Sequence, residues 1–426
     1  MIKTIKSLSL LSMGSLISSG STFLIFTILA RQIGPAAFGI FSSALATTKI
    51  FSLISGFGIA QVWLKLFGKE GWGGIRWVKP SLYFVLISII FVSLVILFLN
   101  LFNFNDDTTK NLLLLFIFFI YGNVSVQLIS SKLQLEEKYN QVAFWQLLPN
   151  LSRLILVVAG FYLFDISLSV IDIGIIYAFI GMVLTIIGVK QLFNMGRGRF
   201  ELKGHGLKRN IKELKPTIKE VVSEAWPFGM ATIFAFIYIQ SDIIMVKYMS
   251  GDIEAGYYNV SYVVLSALLI IPTILFSKFL MPKYHRWANY SREKFYRAYK
   301  LGNLTMILAG FSIMLILLFF SHIFISIIFG EEYESSIQLM KILSLTLPIS
   351  FVAYSLGATL VTKQHMKLKV LLMGTVAIFN IVLNIFLISY YDAMGAAIAT
   401  VISNLLLLTL YYFAVKKRVF RKTLKE

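Results

Sequence analysis

No cysteine occurs among the 426 residues. Its absence excludes disulfides, thiolate nucleophiles, iron–sulfur clusters and cysteine zinc sites together. Charge is scarce as well: 14% of residues are charged, against about 25% in a soluble domain. Acidic residues are the scarcer sign, 20 against 39 Lys and Arg. Nucleotide-binding motifs are incomplete. Leu66-Phe67-Gly68-Lys69-Glu70 resembles the end of a phosphate loop, but Trp63 stands where its first glycine belongs and Glu70 replaces Ser or Thr. Gly71-Trp72-Gly73 and Gly196-Arg197-Gly198 open a dinucleotide fingerprint without finishing it. The four histidines, 205, 285, 322 and 365, are scattered, and no His-Glu-x-x-His occurs. No metal site and no cofactor are expected, beyond a proton or sodium ion for coupling.

What the chain has in quantity is apolar surface. Hydrophobic residues make up 58%, aromatics 15%, and mean hydropathy is +0.81. Such a composition cannot cover itself with polar groups in water, so a soluble enzyme is excluded. A membrane crossing takes about 20 apolar residues. Twelve such segments are predicted, at 7–30, 37–64, 81–102, 111–131, 142–164, 170–190, 220–246, 256–278, 302–329, 337–361, 370–390 and 393–415. Their length and Leu/Ile/Phe content specify helices and not barrel strands. The first lacks a small-residue cleavage site and precedes an equally apolar segment, so it reads as a span and not a signal peptide.

Starting with the N-terminus inside, 33 of the 39 Lys and Arg fall in inner segments and three, Arg31, Lys110 and Lys247, in outer loops. Lys49, Arg153 and Lys341 lie within spans. This asymmetry predicts both termini in the cytoplasm. It accounts for the net charge of +19 with no nucleic-acid partner. Basic inner loops of this kind hold anionic lipid headgroups. The six tryptophans, 63, 72, 77, 145, 226 and 287, fall near the expected inner face, where indole rings favour the headgroup region. The long loops, 190–219 and 278–301, are both inside. The first divides the chain into a six-helix bundle (1–200), a basic linker (201–219) and a second six-helix bundle (220–426).

The halves share a local pattern. Gly34-Pro35-Ala36-Ala37-Phe38-Gly39-Ile40-Phe41 follows the first span, and Gly251-Asp252-Ile253-Glu254-Ala255-Gly256-Tyr257-Tyr258 follows the seventh. Six spans per half give both halves the same orientation. That predicts a parallel repeat about an axis along the membrane normal, with a central cavity and alternating access.

The stretch Ile28-Leu29-Ala30-Arg31-Gln32-Ile33-Gly34-Pro35-Ala36-Ala37-Phe38-Gly39 resembles the opening signature of the polysaccharide-transport (Wzx-type) flippases. These belong to the multidrug/oligosaccharidyl-lipid/polysaccharide exporter superfamily. Trp226-Pro227-Phe228-Gly229, Asp242-Ile243-Ile244-Met245, Gly256-Tyr257-Tyr258 and Met281-Pro282 continue the likeness. So do Phe329-Gly330-Glu331-Glu332-Tyr333, Asn380-Ile381-Val382-Leu383-Asn384 and Gly395-Ala396-Ala397-Ile398-Ala399-Thr400. The resemblance implies an all-α, V-shaped, MATE-like fold in a bacterial or archaeal plasma membrane. It implies transfer of a polyprenyl-pyrophosphate-linked oligosaccharide from the cytoplasmic to the outer leaflet, for O-antigen, capsule or exopolysaccharide. Polymerase and chain-length proteins of the same pathway are the implied partners. Relatives that flip the peptidoglycan precursor usually carry two further spans.

A charge at the bilayer centre costs about 2.5–3.5 kcal/mol on insertion scales, so each intramembrane charge is a candidate site. Lys49 and Arg153 fall near mid-depth, roughly 16–18 Å from a surface at 1.5 Å per residue. Given the implied substrate, both are expected to line the cavity and attract pyrophosphate, Arg153 as a planar fork and Lys49 as a point charge. Arg31 and Lys341, nearer the outer face, are second-tier cations, with interface anchoring as the alternative. Asp242 is the one acidic residue well inside a span. It reads as a coupling-ion site or gate latch, or as the ion-pair partner of Lys341 or Arg31. His322 is a candidate for coupling or gating. Asn380, Asn384 and Asn404 are among the polar groups expected to bond between helices. A drug/cation antiporter of the same superfamily would place acidic groups in the cavity. A membrane polymerase would need a large outer loop or a soluble domain, and neither is present.

Overall fold

Several helix starts are encoded within a few residues. Ser169 and Asp172 form a reciprocal capping box, the Asp172 N–H donating to Ser169 Oγ at 3.3 Å and the Ser169 N–H to the Asp172 carboxylate at 2.9 Å. Thr217 and Glu220 repeat it with 3.3 and 2.7 Å bonds. Asp106 accepts from the Thr109 N–H at 2.9 Å. The computed structural model describes residues 2–102, 105–204, 215–361 and 365–420, without the side chains of 2–12, 277–279, 281, 282, 285, 289 and 292. The helices are α1 (Ile2–Gly56), α2 (Ile59–Glu70), α3 (Ile75–Leu101), α4 (Asp107–Leu135), α5 (Tyr139–Val158), α6 (Val170–Gly196), α7 (Ile218–Ser250) and α8 (Asp252–Leu268). They continue as α9 (Ile270–Ile274), α10 (Met281–Tyr290), α11 (Arg292–Ile328), α12 (Ser335–Ser344), α13 (Thr346–Val361) and α14 (Met366–Ala414). No strand occurs among the described residues.

Nine continuous helical stretches among the described residues are long and apolar enough to cross a membrane. Two hold more than one crossing. Met13–Leu101 spans 89 residues and is broken at Gly34 (φ 74°, ψ 172°) and again at Phe57 and Gly58, both at positive φ. Met366–Val419 spans 54 residues and is broken at Asp392 (φ 50°, ψ −137°). Divided at Gly34, Gly71 and Asp392, the described stretches give twelve segments of crossing length, the number the sequence predicts. The protein is an all-α, multi-pass membrane protein.

Prolines break two of the crossings. α8 ends at Leu268 and α12 at Ser344, each four residues before a proline, Pro272 and Pro348. A proline ring clashes with the carbonyl four residues back and removes a donor. Pro149 and Pro227 leave α5 and α7 continuous. The predicted inner loop 278–301 contains α10 and the first turns of α11. The apolar run marks only the part of a helix inside hydrocarbon, and α11 continues past it into polar surroundings. The 205–214 part of the predicted linker lies outside the described residues.

The chain forms two compact units, Met1–Ile25 with Ala44–Ile233, and Phe26–Ser43 with Phe234–Glu426. The first unit thus retains the start of α7. Lys65 pairs with Glu224 at 2.6 Å, and a Cβ on Gly58 would press on the Gly229 backbone. Its α4 and α6 approach closely at Gly122 and Gly181, where each glycine faces the other helix's backbone. Its α3 turns Tyr83, Leu86, Ile87, Ile90, Phe91 and Leu94 outward as one helical stripe, the face suited to lipid.

The second unit holds both copies of the repeated glycine motif. Gly34 and Gly251 share one backbone form, φ 74° and 100° with ψ 172° and 176°. That region favours glycine. The glycine five residues later packs reciprocally. A Cβ on Gly39 would strike the Asp252 carbonyl, and one on Gly256 the Pro35 carbonyl.

Three of the tryptophans depart from the headgroup expectation. Trp63, Trp77 and Trp145 are buried within the protein, and Trp77 donates to Glu70 at 3.2 Å. Trp226 is exposed.

Candidate functional site

Two polar clusters interrupt the apolar interior, one in each unit. In the first unit, Arg153 on α5 is 7% exposed. Its guanidinium carbon lies 4.9 Å from the centre of the Phe119 ring on α4 and 4.5 Å from that of Tyr177 on α6. Nη1 donates to Asn150 Oδ1 at 3.1 Å, and Asn150 donates onward to Ser18 at 2.8 Å. The aromatic faces replace a counter-ion. Lys49 on α1 is part-buried and lies within Coulomb range of Arg153. One turn further, Ser52 accepts from Asn123 of α4 at 2.7 Å. Neither cation is ion-paired among the described residues. The cluster is therefore a positive site in low dielectric with no negative side chain in contact.

In the second unit, Asp242 on α7 is 1% exposed. Its carboxylate takes three neutral donors: Asn384 Nδ2 at 2.6 Å, Tyr258 Oη at 2.8 Å and Thr400 Oγ1 at 2.5 Å. Asn384 also donates to Asn380 Oδ1 at 3.2 Å, and Asn380 to Ser403 at 3.3 Å. Asn384 Oδ1 is buried with no hydrogen-bond partner. Neither Lys341 nor Arg31 reaches Asp242, so the ion-pair alternative is not formed. The cluster is rich in oxygen acceptors and carries one uncompensated negative charge. Such a set suits a proton or a hard cation.

The remaining candidates lie apart from these clusters. Arg31 is exposed and donates to the Ile327 carbonyl at 3.1 Å, which caps the C-terminal end of α11. Lys341 is exposed in the last turn of α12. His322 is exposed on α11 and takes no part in the Asp242 network. Lys247, counted as an outer-loop cation, is in the last turn of α7 and pairs with Asp252 at 3.0 Å.

The sequence marks Lys49, Arg153 and Asp242 by their depth alone. It does not mark Phe119, Tyr177 or Tyr258 as their partners. The one signal for Tyr258 is its place in the repeated Gly256-Tyr257-Tyr258 motif, which carries no information about a carboxylate on another helix.

Among known proteins, a family described as "Polysaccharide biosynthesis protein" matches residues 4–284. The capsular polysaccharide biosynthesis protein CapF of Staphylococcus aureus is 22% identical over 427 aligned residues, covering 97% of this chain and 99% of that one. Among solved structures, the lipid II flippase MurJ in an inward closed conformation superposes with a TM-score of 0.72 at 16% identity, over 96% of this chain and 87% of that chain. An inward-facing multidrug MATE transporter of the MOP superfamily gives 0.65 at 12% identity, over 96% and 95%. The eukaryotic MATE transporter AtDTX14 gives 0.65 at 13%, over 100% and 98%. With the fold of these transporters and a family match over most of its length, the chain belongs to the polysaccharide biosynthesis protein family.

Proposed function

We propose that the protein moves a polyprenyl-pyrophosphate-linked oligosaccharide from the cytoplasmic to the outer leaflet. It does so by alternating access of two six-helix bundles, residues 1–200 and 220–426, in a bacterial or archaeal plasma membrane with both termini in the cytoplasm. The observation that carries this reading is the uncompensated cation pair of the first unit. Lys49 supplies a compact point charge on a four-carbon stem. Arg153, held by Phe119, Tyr177 and Asn150, supplies a fixed one beside it. A pyrophosphate head group brings the negative charge that the protein itself withholds there, and charge-assisted bonds to it are strong in low dielectric. An exporter of cationic drugs requires the opposite sign at this position.

Asp242 is the coupling group in this reading. Bound H+ or Na+ neutralises its carboxylate, and the unpartnered Asn384 Oδ1, with Asn380 and Thr400, supports an oxygen-coordinated ion. The exported unit feeds a polymerase at the outer surface, and no covalent step is assigned to this chain.

Reconstitution tests the proposal. Purified protein is placed in liposomes with a radiolabelled polyprenyl-pyrophosphate oligosaccharide, and the rate at which the sugar becomes reachable by an external glycosidase is measured. The expected result is rapid exposure in wild type and at least tenfold slower exposure in Arg153→Ala and Lys49→Ala. Wild-type rates in both folded variants would remove the cation pair from the pathway. No exposure under any ion gradient would remove the flippase reading.

A further inference from the structure

We propose that a cavity inside the second unit is a docking site for an anionic sugar head group, with Lys369 as its anion contact. The ligand class rests on the flippase reading above; the site itself rests on geometry.

The cavity has a volume of about 340 Å³ and is lined by parts of α7, α8, α9, α13, α14 and the turn after α9, with Tyr238, Tyr262, Tyr354, Tyr411, Asp242 and Lys369 as its chemistry-bearing walls. That volume lies near the lower end of the ~300–1,000 Å³ of small-molecule sites. It admits a sugar-sized group. Two of its walls carry unused donors. The Lys369 ammonium, in the first turn of α14, has no ion pair or hydrogen bond among the described residues. The Tyr238 hydroxyl is buried with no partner. Both call for a ligand that presents acceptor oxygens. Tyrosine rings add apolar faces on which the C–H surface of a sugar can lie while their hydroxyls meet its polar edge. The acid on the wall, Asp242, already takes three donors. The unused donors of the cavity, at Lys369 and Tyr238, therefore call for an anion with hydroxyl or carbonyl oxygens, while Asp242 on the same wall takes the proton or coupling cation.

Gly357 shapes the same wall. A Cβ there would stand 3.2 Å from the Tyr411 ring and 3.5 Å from Lys369 Nζ. Its bare backbone leaves room for both groups beside α13.

The anionic oxygen comes from pyrophosphate or from an acidic sugar, and the probes separate these. Binding to purified full-length protein is measured by calorimetry with three ligands: farnesyl diphosphate-linked N-acetylglucosamine, octyl glucuronide and the neutral octyl N-acetylglucosaminide. Melting curves confirm that each variant is folded. Lys369→Met is expected to weaken at least one anionic probe tenfold or more and to leave the neutral probe within threefold. The diphosphate probe responding identifies phosphate as the source, and the glucuronide responding identifies the sugar. Lys369→Arg is expected to restore binding within threefold, and Gly357→Val to weaken all three probes. Unchanged binding of both anionic probes by folded Lys369→Met overturns the proposal, as does tighter binding of ethidium than of any sugar probe. The two readings fail separately. Normal probe binding with no sugar exposure in liposomes removes flipping and keeps this site. Normal flipping with no Lys369-dependent binding removes this site and keeps flipping.

Discussion

Arg153 and Asp242 are both buried ionisable groups, and their surroundings solve the burial differently. Arg153 is stacked on two rings and bonded to an amide. Lysine keeps the charge but not the planar stack or the fork. Arg153→Lys is therefore expected to lose about 1 kcal/mol of stability, seen as a lower melting temperature in detergent. Its flipping rate is expected to fall with it, because the charge is no longer held in place. Asp242 is surrounded by donors, and Asn384 has a spare acceptor. In Asp242→Asn, the Asn384 amide can turn so that its Oδ1 accepts from the new NH₂, at the loss of the bond to Asn380. The cost is about 1 kcal/mol, the worth of one net hydrogen bond. The variant is expected to fold and to lose all dependence of flipping on H+ and Na+ gradients. A gradient dependence equal to wild type would dismiss Asp242 as the coupling group.

At the level of elements, the crossings are set by apolar length and their breaks by particular residues. Pro272 and Pro348 end the helices before them at the carbonyl each would strike. The glycines of the repeated motif act in pairs. The first glycine of each copy turns the chain at positive φ, and the second allows the two helix starts to touch. A side chain at Gly39 or Gly256 meets a carbonyl of the opposing backbone, which cannot rotate away. Gly39→Val and Gly256→Val are each expected to destabilise by about 3 kcal/mol, toward the upper end of overpacking costs. Gly20→Ala, where a Cβ meets nothing within 4 Å, is the matched control and is expected to melt within two degrees of wild type or above it. Melting temperatures of the three variants, measured together, check this. The repeat was visible as a spacing; that its two copies touch reciprocally was not, since contact across more than two hundred residues leaves no local mark.

For the whole molecule, the distribution of basic residues assigns a sidedness that a cysteine-free chain makes easy to test. Single cysteines can be introduced with no background thiol. Asp107, in the first turn of α4 and with a side chain 94% exposed, belongs to the outer face in this assignment. Arg199, exposed after α6, belongs to the inner face. Asp107→Cys is expected to react with an impermeant maleimide in intact cells, and Arg199→Cys only after the membrane is opened. The reverse pattern would invert the topology and with it the direction of transport.

Composition and run length alone determined that this is a helical membrane protein, and they predicted its twelve apolar segments. Those quantities act locally: each crossing must satisfy its own backbone bonds and present about 20 apolar residues to hydrocarbon, whatever its neighbours do. Lys49, Arg153 and Asp242 stood out in the sequence for the same reason, as charges within those apolar runs. Tertiary structure alone decided what each charge faces. It gave Arg31 a helix end to cap, left His322 at the surface, and enclosed Asp242 among Tyr258, Asn384 and Thr400. It placed Lys369, which the sequence counts merely as one more basic residue of an inner loop, on the wall of a cavity. Such pairings join helices far apart in the chain, so they depend on packing geometry that no local pattern encodes.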